Sequence, residues 1–131
     1  MSTELELALR LLLAAALGSA IGYQRERAGK PAGLRTYALI AIGAALFTIV
    51  SIYGFSAGDP SRVAAGVVVG IGFLGAGAII RREERTAGLT TAATIWAVAG
   101  IGLAAGVGLY LVAVIVTAVV LIILFLPHPI K

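Results

Sequence analysis

Long apolar runs, separated by short polar islands, dominate the pattern of hydrophobic and polar positions along the chain. Each of the five runs is 17 to 20 residues long, close to the roughly 20 apolar residues that cross a hydrocarbon core about 30 Å thick. The runs are Leu5–Tyr23, Leu34–Tyr53, Val63–Ile80, Leu89–Ala105 and Leu109–Leu126. The pattern predicts five transmembrane helices joined by short loops.

The last two runs are separated only by Gly106-Val107-Gly108. As one continuous helix, residues 89–126 would be about 57 Å long at about 1.5 Å per residue, nearly twice the thickness of the hydrocarbon core. We therefore expect the chain to turn back at this glycine pair. A re-entrant fourth segment is the alternative interpretation.

The composition supports a membrane protein. Of the 131 residues, 60% are hydrophobic and 12% are charged, whereas an ordinary soluble domain carries about 25% charged residues. So little charge excludes an ordinary soluble fold, and the hydrophobicity excludes a disordered chain. The chain is predicted to be an all-α membrane protein with one transmembrane domain over residues 1–131 and no soluble C-terminal domain.

The basic residues indicate an orientation. Eight of the ten lie on one side of the predicted topology: Arg25, Arg27, Lys30, Arg35, Arg81, Arg82, Arg85 and Lys131. The other side has Arg62, and Arg10 lies inside the first run, from which we expect it to snorkel outward. The positive-inside rule then predicts a cytoplasmic C-terminus and an external N-terminus, which requires an odd number of crossings.

Glycines recur at helical spacing within three of the runs. They are Gly18 and Gly22 in the first run, Gly66, Gly70, Gly72, Gly75 and Gly77 in the third, and Gly102 in the fourth, with Gly106 directly after that run. Small residues four apart let membrane helices approach closely, so we expect Gly-rich close packing. A third helix that is kinked or unwound at Gly70–Gly77, with freed backbone groups lining an ion or substrate site, is the alternative. Residues 70–75 also match the dinucleotide fingerprint G-x-G-x-x-G, but they lack the preceding strand that this motif needs.

The start of the fourth run is rich in hydroxyl groups, with Thr90, Thr91 and Thr94 close together. Thr90 and Thr94 are four residues apart, so we expect both hydroxyls to face a neighbouring helix and to form interhelical hydrogen bonds worth about 0.6 kcal/mol each. Trp96 lies seven residues into this helix, too deep for an interfacial anchor. We expect it to pack inside the bundle.

Groups for catalysis are scarce. The chain has one His, no Cys and six acidic residues, all of them in loops or at the start of the first run. Pumps and proton-coupled transporters keep ionisable residues inside the membrane. We therefore expect no enzyme activity, no catalytic, metal or cofactor site, and no binding of nucleic acid.

The first loop, residues 24–36, carries four basic residues and one acidic residue, Glu26. Membrane orientation alone accounts for this charge. Anionic lipid headgroups, at about 1 kcal/mol per Lys or Arg, or an acidic protein partner are the alternatives.

Three motifs in this order resemble the MgtC/SapB family of small bacterial inner-membrane proteins. They are Gly29-Lys30-Pro31-Ala32-Gly33-Leu34-Arg35-Thr36, Gly70-Ile71-Gly72-Phe73-Leu74-Gly75-Ala76-Gly77 and Gly88-Leu89-Thr90-Thr91-Ala92-Ala93-Thr94-Ile95-Trp96. The resemblance covers nearly the whole chain and implies five transmembrane helices with a cytoplasmic C-terminus. This sequence departs from the family pattern at two residues: it has Gln24 where many members have Glu, and Gly66 where many have Gln. Many members also carry a soluble C-terminal domain, which this chain is predicted not to have.

The resemblance implies a regulatory role in adaptation to low magnesium and in virulence, including inhibition of the F-type ATP synthase. The leading hypothesis is therefore a non-enzymatic inner-membrane regulator that acts through a membrane partner, with the lipid bilayer and a homo-oligomer as further contacts. A transporter or channel for Mg²⁺ or a small solute, with a hydrated path near the threonines, is the alternative. A purely structural subunit is a third hypothesis. The candidate residues are Arg25, Glu26, Arg35, Gly70, Gly72, Gly75, Gly77, Thr90, Thr91, Thr94 and Trp96.

Overall fold

Five α helices and no strand make up the residues that the computed structural model describes, which are 3–30, 32–54, 59, 61–80 and 85–126. The helices are α1 (Thr3–Arg27), α2 (Leu34–Tyr53), α3 (Ser61–Ile80), α4 (Arg85–Gly106) and α5 (Tyr110–Leu124). The prediction of an all-α fold is confirmed for this part of the chain. Arg81, Arg82 and Lys131, which the orientation argument uses, lie outside it.

Four of the helices, α1 to α4, are long and apolar enough to cross a membrane. The fifth, α5, is apolar but has 15 residues, about 22 Å of helix. It is shorter than the predicted run because the helix begins at Tyr110 and not at Leu109, and ends at Leu124 and not at Leu126. Five crossings and the orientation therefore stay predictions.

The fourth segment is one continuous helix of 22 residues, about 33 Å long. It is long enough to span, so its geometry does not favour the re-entrant interpretation. The third segment is also continuous, so the alternative of an unwound Gly70–Gly77 segment is wrong. Before α3, the Asp59 carboxylate accepts a 3.0 Å hydrogen bond from the Ser61 N–H, which lowers the pKa of Asp59.

The expected turn after α4 is confirmed. Gly108 has a φ of 91°, a left-handed conformation that favours glycine. Its N–H bonds to the carbonyl of Ala105, and the N–H of Leu109 bonds to that of Ala104. This pair of hydrogen bonds is a Schellman motif. Gly29, with a φ of 75°, ends α1 in the same way.

Helix α2 packs against both α1 and α4 at very short distances. A Cβ atom on Gly18 of α1 would lie 2.5 Å from the Tyr37 carbonyl oxygen, and one on Gly106 of α4 would lie 2.9 Å from the Ala45 carbonyl oxygen. Any side chain at these positions would push the helices apart. The core around them consists of small and β-branched residues such as Ala41 and Val98, both fully buried.

Helix α3 packs mainly along α4. Gly75 of α3 faces Ala92, whose Cβ would lie 3.3 Å from an added Cβ atom. An apolar groove of about 500 Å³ separates α3 from α2. The other glycines of α3, namely Gly66, Gly70, Gly72 and Gly77, have open space where a side chain would be. The prediction that they pack against neighbouring helices is therefore wrong within this chain.

Candidate functional site

The polar groups buried at one end of the bundle surround Arg25, in the last turn of α1. Its side chain is only 3% exposed. Its Nη2 donates a 2.8 Å hydrogen bond to Oγ1 of Thr91, a fully buried residue of α4. The bond joins the ends of α1 and α4 that lie beside the first loop, and we call this group, together with Tyr37 and Thr94, the Arg25 cluster.

The rest of the Arg25 cluster is equally buried. The hydroxyl of Tyr37 has Arg25 and Thr94 as polar neighbours, but it makes no hydrogen bond of standard geometry. The Nε atom of Arg25 is likewise buried without a partner. Among the described residues no carboxylate forms an ion pair with Arg25. The cluster is therefore a buried guanidinium that donates a hydrogen bond to the hydroxyl of Thr91 and lies beside the hydroxyl of Tyr37.

Glu26, the neighbour of Arg25, has a different role. Its Oε1 accepts a 3.0 Å hydrogen bond from the backbone N–H of Leu34, the first residue of α2. A carboxylate at this position satisfies an unpaired helix donor and complements the positive end of the helix. Glu26 thus fixes the first loop against α2. Arg35, one residue further on, is exposed and does not join the Arg25 cluster.

Two expectations for α4 are wrong. Thr90 is exposed, while Thr91 and Thr94 are buried, so the inward pair is three residues apart. The Thr94 hydroxyl donates to the Thr90 carbonyl oxygen at 2.7 Å, a bond within its own helix. Trp96 is 59% exposed and does not pack inside the bundle. The buried face of α4 lies so close to α2 that an indole ring does not fit there.

A second polar cluster, at the other end of the bundle, was not among the sequence candidates. Arg10 is 8% exposed and turns inward, so the expectation that it snorkels outward is wrong. It pairs with Glu6 at 2.8 Å, donates to the Gly106 carbonyl oxygen at 2.9 Å and lies 5.8 Å from the centre of the Tyr53 ring. An arginine inside an apolar run, four residues after a glutamate, was the signal that could have identified it.

Comparison with protein-family models shows which family the chain belongs to. The family model named MgtC family matches residues 11–131. The chain belongs to the MgtC family. This confirms the resemblance deduced from the three motifs.

Relatives of this MgtC-family chain come from several bacteria. One from Escherichia coli K12, named "Putative magnesium transporter YhiD", is 47% identical over 94% of this chain and 61% of its own length. Protein MgtC of Salmonella typhimurium 14028s is 49% identical over 86% of this chain and 48% of its own length. Protein SrpB of Synechococcus elongatus is 46% identical over 81% of this chain and 66% of its own length. The chain thus spans about half to two thirds of these relatives. No solved structure matches it.

Neither polar cluster of this MgtC-family chain resembles a metal site. Among the described residues no three His, Cys, Asp or Glu side chains lie together in a way that would hold a metal ion. The donors in the Arg25 cluster are a guanidinium and hydroxyl groups. Those groups suit the binding of α1 to α4, whereas a divalent cation needs carboxylate or carbonyl oxygens.

The Thr91→Val substitution tests the hydrogen bond in the Arg25 cluster. Valine has nearly the same shape but removes the acceptor of a buried guanidinium, so we expect the free energy of unfolding to fall by about 1.5–3 kcal/mol. Thr94→Val is the matched control, because the Thr94 hydroxyl donates its proton within its own helix and does not accept from Arg25, and we expect a change below about 1 kcal/mol. Unfolding in mixed micelles, followed by circular dichroism, measures both. Equal losses would show that the Arg25–Thr91 bond contributes little.

Proposed function

We propose that the chain is a non-enzymatic regulator in the bacterial inner membrane, linked to magnesium homeostasis and acting through contact with another membrane protein. The observation that carries the proposal is the Arg25–Thr91 hydrogen bond. It uses a hydroxyl group of the threonine-rich stretch of α4, residues 90–94, to bind α1. The name of one relative, "Putative magnesium transporter YhiD", supports the link with magnesium.

A buried cation argues against a route for Mg²⁺ along the threonines of α4. The repulsion between a guanidinium and a divalent cation is strong where little water screens it. Of the two buried threonines in this stretch of α4, Thr91 is already the acceptor for Arg25, and Thr94 donates its hydroxyl proton to the Thr90 carbonyl oxygen. The described part of the Arg25 cluster offers no carboxylate to offset that charge.

The lipid-facing side of α3 supports a role in contacting a partner. Phe73 is 80% exposed and Val69 is 75% exposed. Gly72, between them, has open space above it. A partner helix can therefore approach the backbone of α3 here, between two large apolar side chains. We propose this face as the contact surface for the partner, with the F-type ATP synthase as the first partner to test.

A transporter of Mg²⁺ is the second candidate, because the name of the YhiD relative states that activity. Uptake into sealed proteoliposomes with a trapped Mg²⁺-sensitive dye separates the two. We expect uptake equal to that of empty liposomes, from protein shown to be folded and inserted. Uptake above that level, and its loss in Thr91→Val, would overturn the regulator and place the ion path beside Thr91.

The partner contact is tested in inverted inner-membrane vesicles by ATP-driven proton pumping. We expect the added protein to inhibit pumping and the Gly72→Leu variant to inhibit at least about fivefold less, because leucine fills the open space on α3. We expect Gly72→Leu to leave the packing of the chain itself largely unchanged, because a Cβ atom added at Gly72 would have no atom of another helix within 4 Å. Gly100→Leu, an equally open glycine on α4, is the control and should inhibit normally. No inhibition by the unaltered protein would exclude the ATP synthase as the partner.

A further inference from the structure

A cleft between the C-terminal ends of α1 and α5 is part of neither polar cluster. It has a volume of about 580 Å³. Its apolar walls come from Ala20, Leu121 and Phe125, and its polar rim from Gln24 and Arg27, with Tyr23 and Ala28 beside them. The cleft lies where the apolar run of α1 gives way to the basic first loop, which is the depth of the lipid headgroups.

The cation at this rim is held in place from within the chain. Arg27 donates a 3.0 Å hydrogen bond from Nη1 to the Tyr23 hydroxyl, and its guanidinium lies 5.7 Å from the centre of the Tyr23 ring. Its only described partner is therefore neutral, and no described carboxylate pairs with it. The remaining N–H groups of Arg27 face outward, since the residue is exposed. They are free to bind an anionic oxygen from outside the chain.

Gln24 supplies a second unused group. Its Oε1 is buried and has no hydrogen-bond donor. The Gln24 Oε1 is an acceptor, so the headgroup that completes it must offer a donor beside the anion. A neutral hydroxyl suits this position better than an ammonium group, which the Arg27 cation would repel. The walls of the cleft formed by Leu121 and Phe125 are apolar. Phe125 is 73% exposed.

We propose that this cleft binds an anionic phospholipid with a hydroxyl-bearing headgroup, of the phosphatidylglycerol type. Its phosphate binds Arg27, its glycerol hydroxyl donates to Gln24, and an acyl chain lies along Leu121 and Phe125. Basic pockets between transmembrane helices at the cytoplasmic face bind anionic headgroups in this way. The site is independent of the proposed regulatory function.

Titration of the purified protein with lipid, followed by native mass spectrometry, tests the site. Phosphatidylglycerol and phosphatidylethanolamine with the same acyl chains are compared, and glycerol phosphate serves as the free headgroup. We expect one phosphatidylglycerol to bind at least about fivefold more tightly than phosphatidylethanolamine, and no binding of glycerol phosphate. A single basic residue contributes about 1 kcal/mol to headgroup binding, so Arg27→Gln should weaken phosphatidylglycerol about fivefold.

Two further variants separate this cleft from general attraction to the basic loop. Lys30→Gln removes an equal charge from an exposed residue outside the cleft and should weaken binding less than twofold. Ala20→Leu keeps every charge but fills the apolar wall, and should weaken binding about fivefold. Equal losses in Arg27→Gln and Lys30→Gln, or unchanged binding in Ala20→Leu, would overturn the proposal. Binding of glycerol phosphate with the affinity of the lipid would show a phosphate site and also overturn it.

Discussion

The Gly102→Ala substitution should destabilise the bundle by about 2–3 kcal/mol, although it adds a single methyl group. The added Cβ atom would overlap the Ala41 carbonyl oxygen and lie 2.9 Å from the Ala44 Cβ. These are a backbone atom and the first side-chain atom of α2, so neither moves aside without moving the helix. Overfilling a packed core costs about 1–3 kcal/mol, and here α2 and α4 must separate along their length. Thermal unfolding of the purified protein in detergent measures the loss.

Gly100→Ala is the matched control, because it makes the same change two residues away on α4. Gly100 is exposed and has open space where a Cβ would be. We expect this variant to unfold at the temperature of the unaltered protein or slightly above it, since alanine is the better helix former. If the two variants unfold alike, the close approach of α4 to α2 is not what holds the bundle together.

Replacement of Arg10 by methionine should be similarly harmful. Methionine fills the volume of the aliphatic stem, but it leaves the Gly106 carbonyl without the donor that lies 2.9 Å away and leaves Glu6 without its partner. Hydrogen bonds that involve a charged group contribute about 1.5–3 kcal/mol. Because the Glu6 side chain is 39% exposed, the loss of its partner costs less than it would for a buried carboxylate, and we expect the free energy of unfolding to fall by about 2–3 kcal/mol in total.

The control for Arg10 is Arg62→Met, which removes a positive charge from an exposed residue at the start of α3. Unfolding in mixed micelles at low and high salt compares the two variants. The loss in Arg10→Met should remain at high salt, because salt screens exposed charges far more than buried ones. A loss of stability of equal size in Arg62→Met would indicate a general charge effect. So would the disappearance of the loss in Arg10→Met at high salt.

The helix positions were predictable from sequence because hydrophobic length fixes them. Four of the five predicted runs agree with helices that are long enough to span a membrane. The turn predicted at the glycine pair is present, with Gly108 in a left-handed conformation. Which face of each helix points inward was not predictable. Nearly every residue of a membrane helix is apolar, so the sequence carries little of the periodic contrast that marks the buried face of a soluble helix.

Trp96 and Arg10 illustrate this limit. A large aromatic residue suggests a core position, but the buried face of α4 consists of smaller residues such as Thr91, Ile95 and Val98, and Trp96 is left outside. An arginine suggests the water interface, but an unpaired carbonyl at the end of α4 draws Arg10 inward. Arg25, Glu26 and Thr91 were predicted to matter. Their partners depend on how the helices pack, so the sequence did not identify them.

The two buried arginines of α1 also have the same spacing as their partners on α4. Arg10 and Arg25 are 15 residues apart on α1, and their partners Gly106 and Thr91 are 15 residues apart on α4, in the opposite direction. Both separations correspond to about 22 Å of helix. One residue inserted between the arginines would lengthen α1 by about 1.5 Å and turn one arginine about 100° away from its partner. The register of α1 against α4 is thus fixed at both ends, so α4 cannot slide or rotate without breaking a buried hydrogen bond.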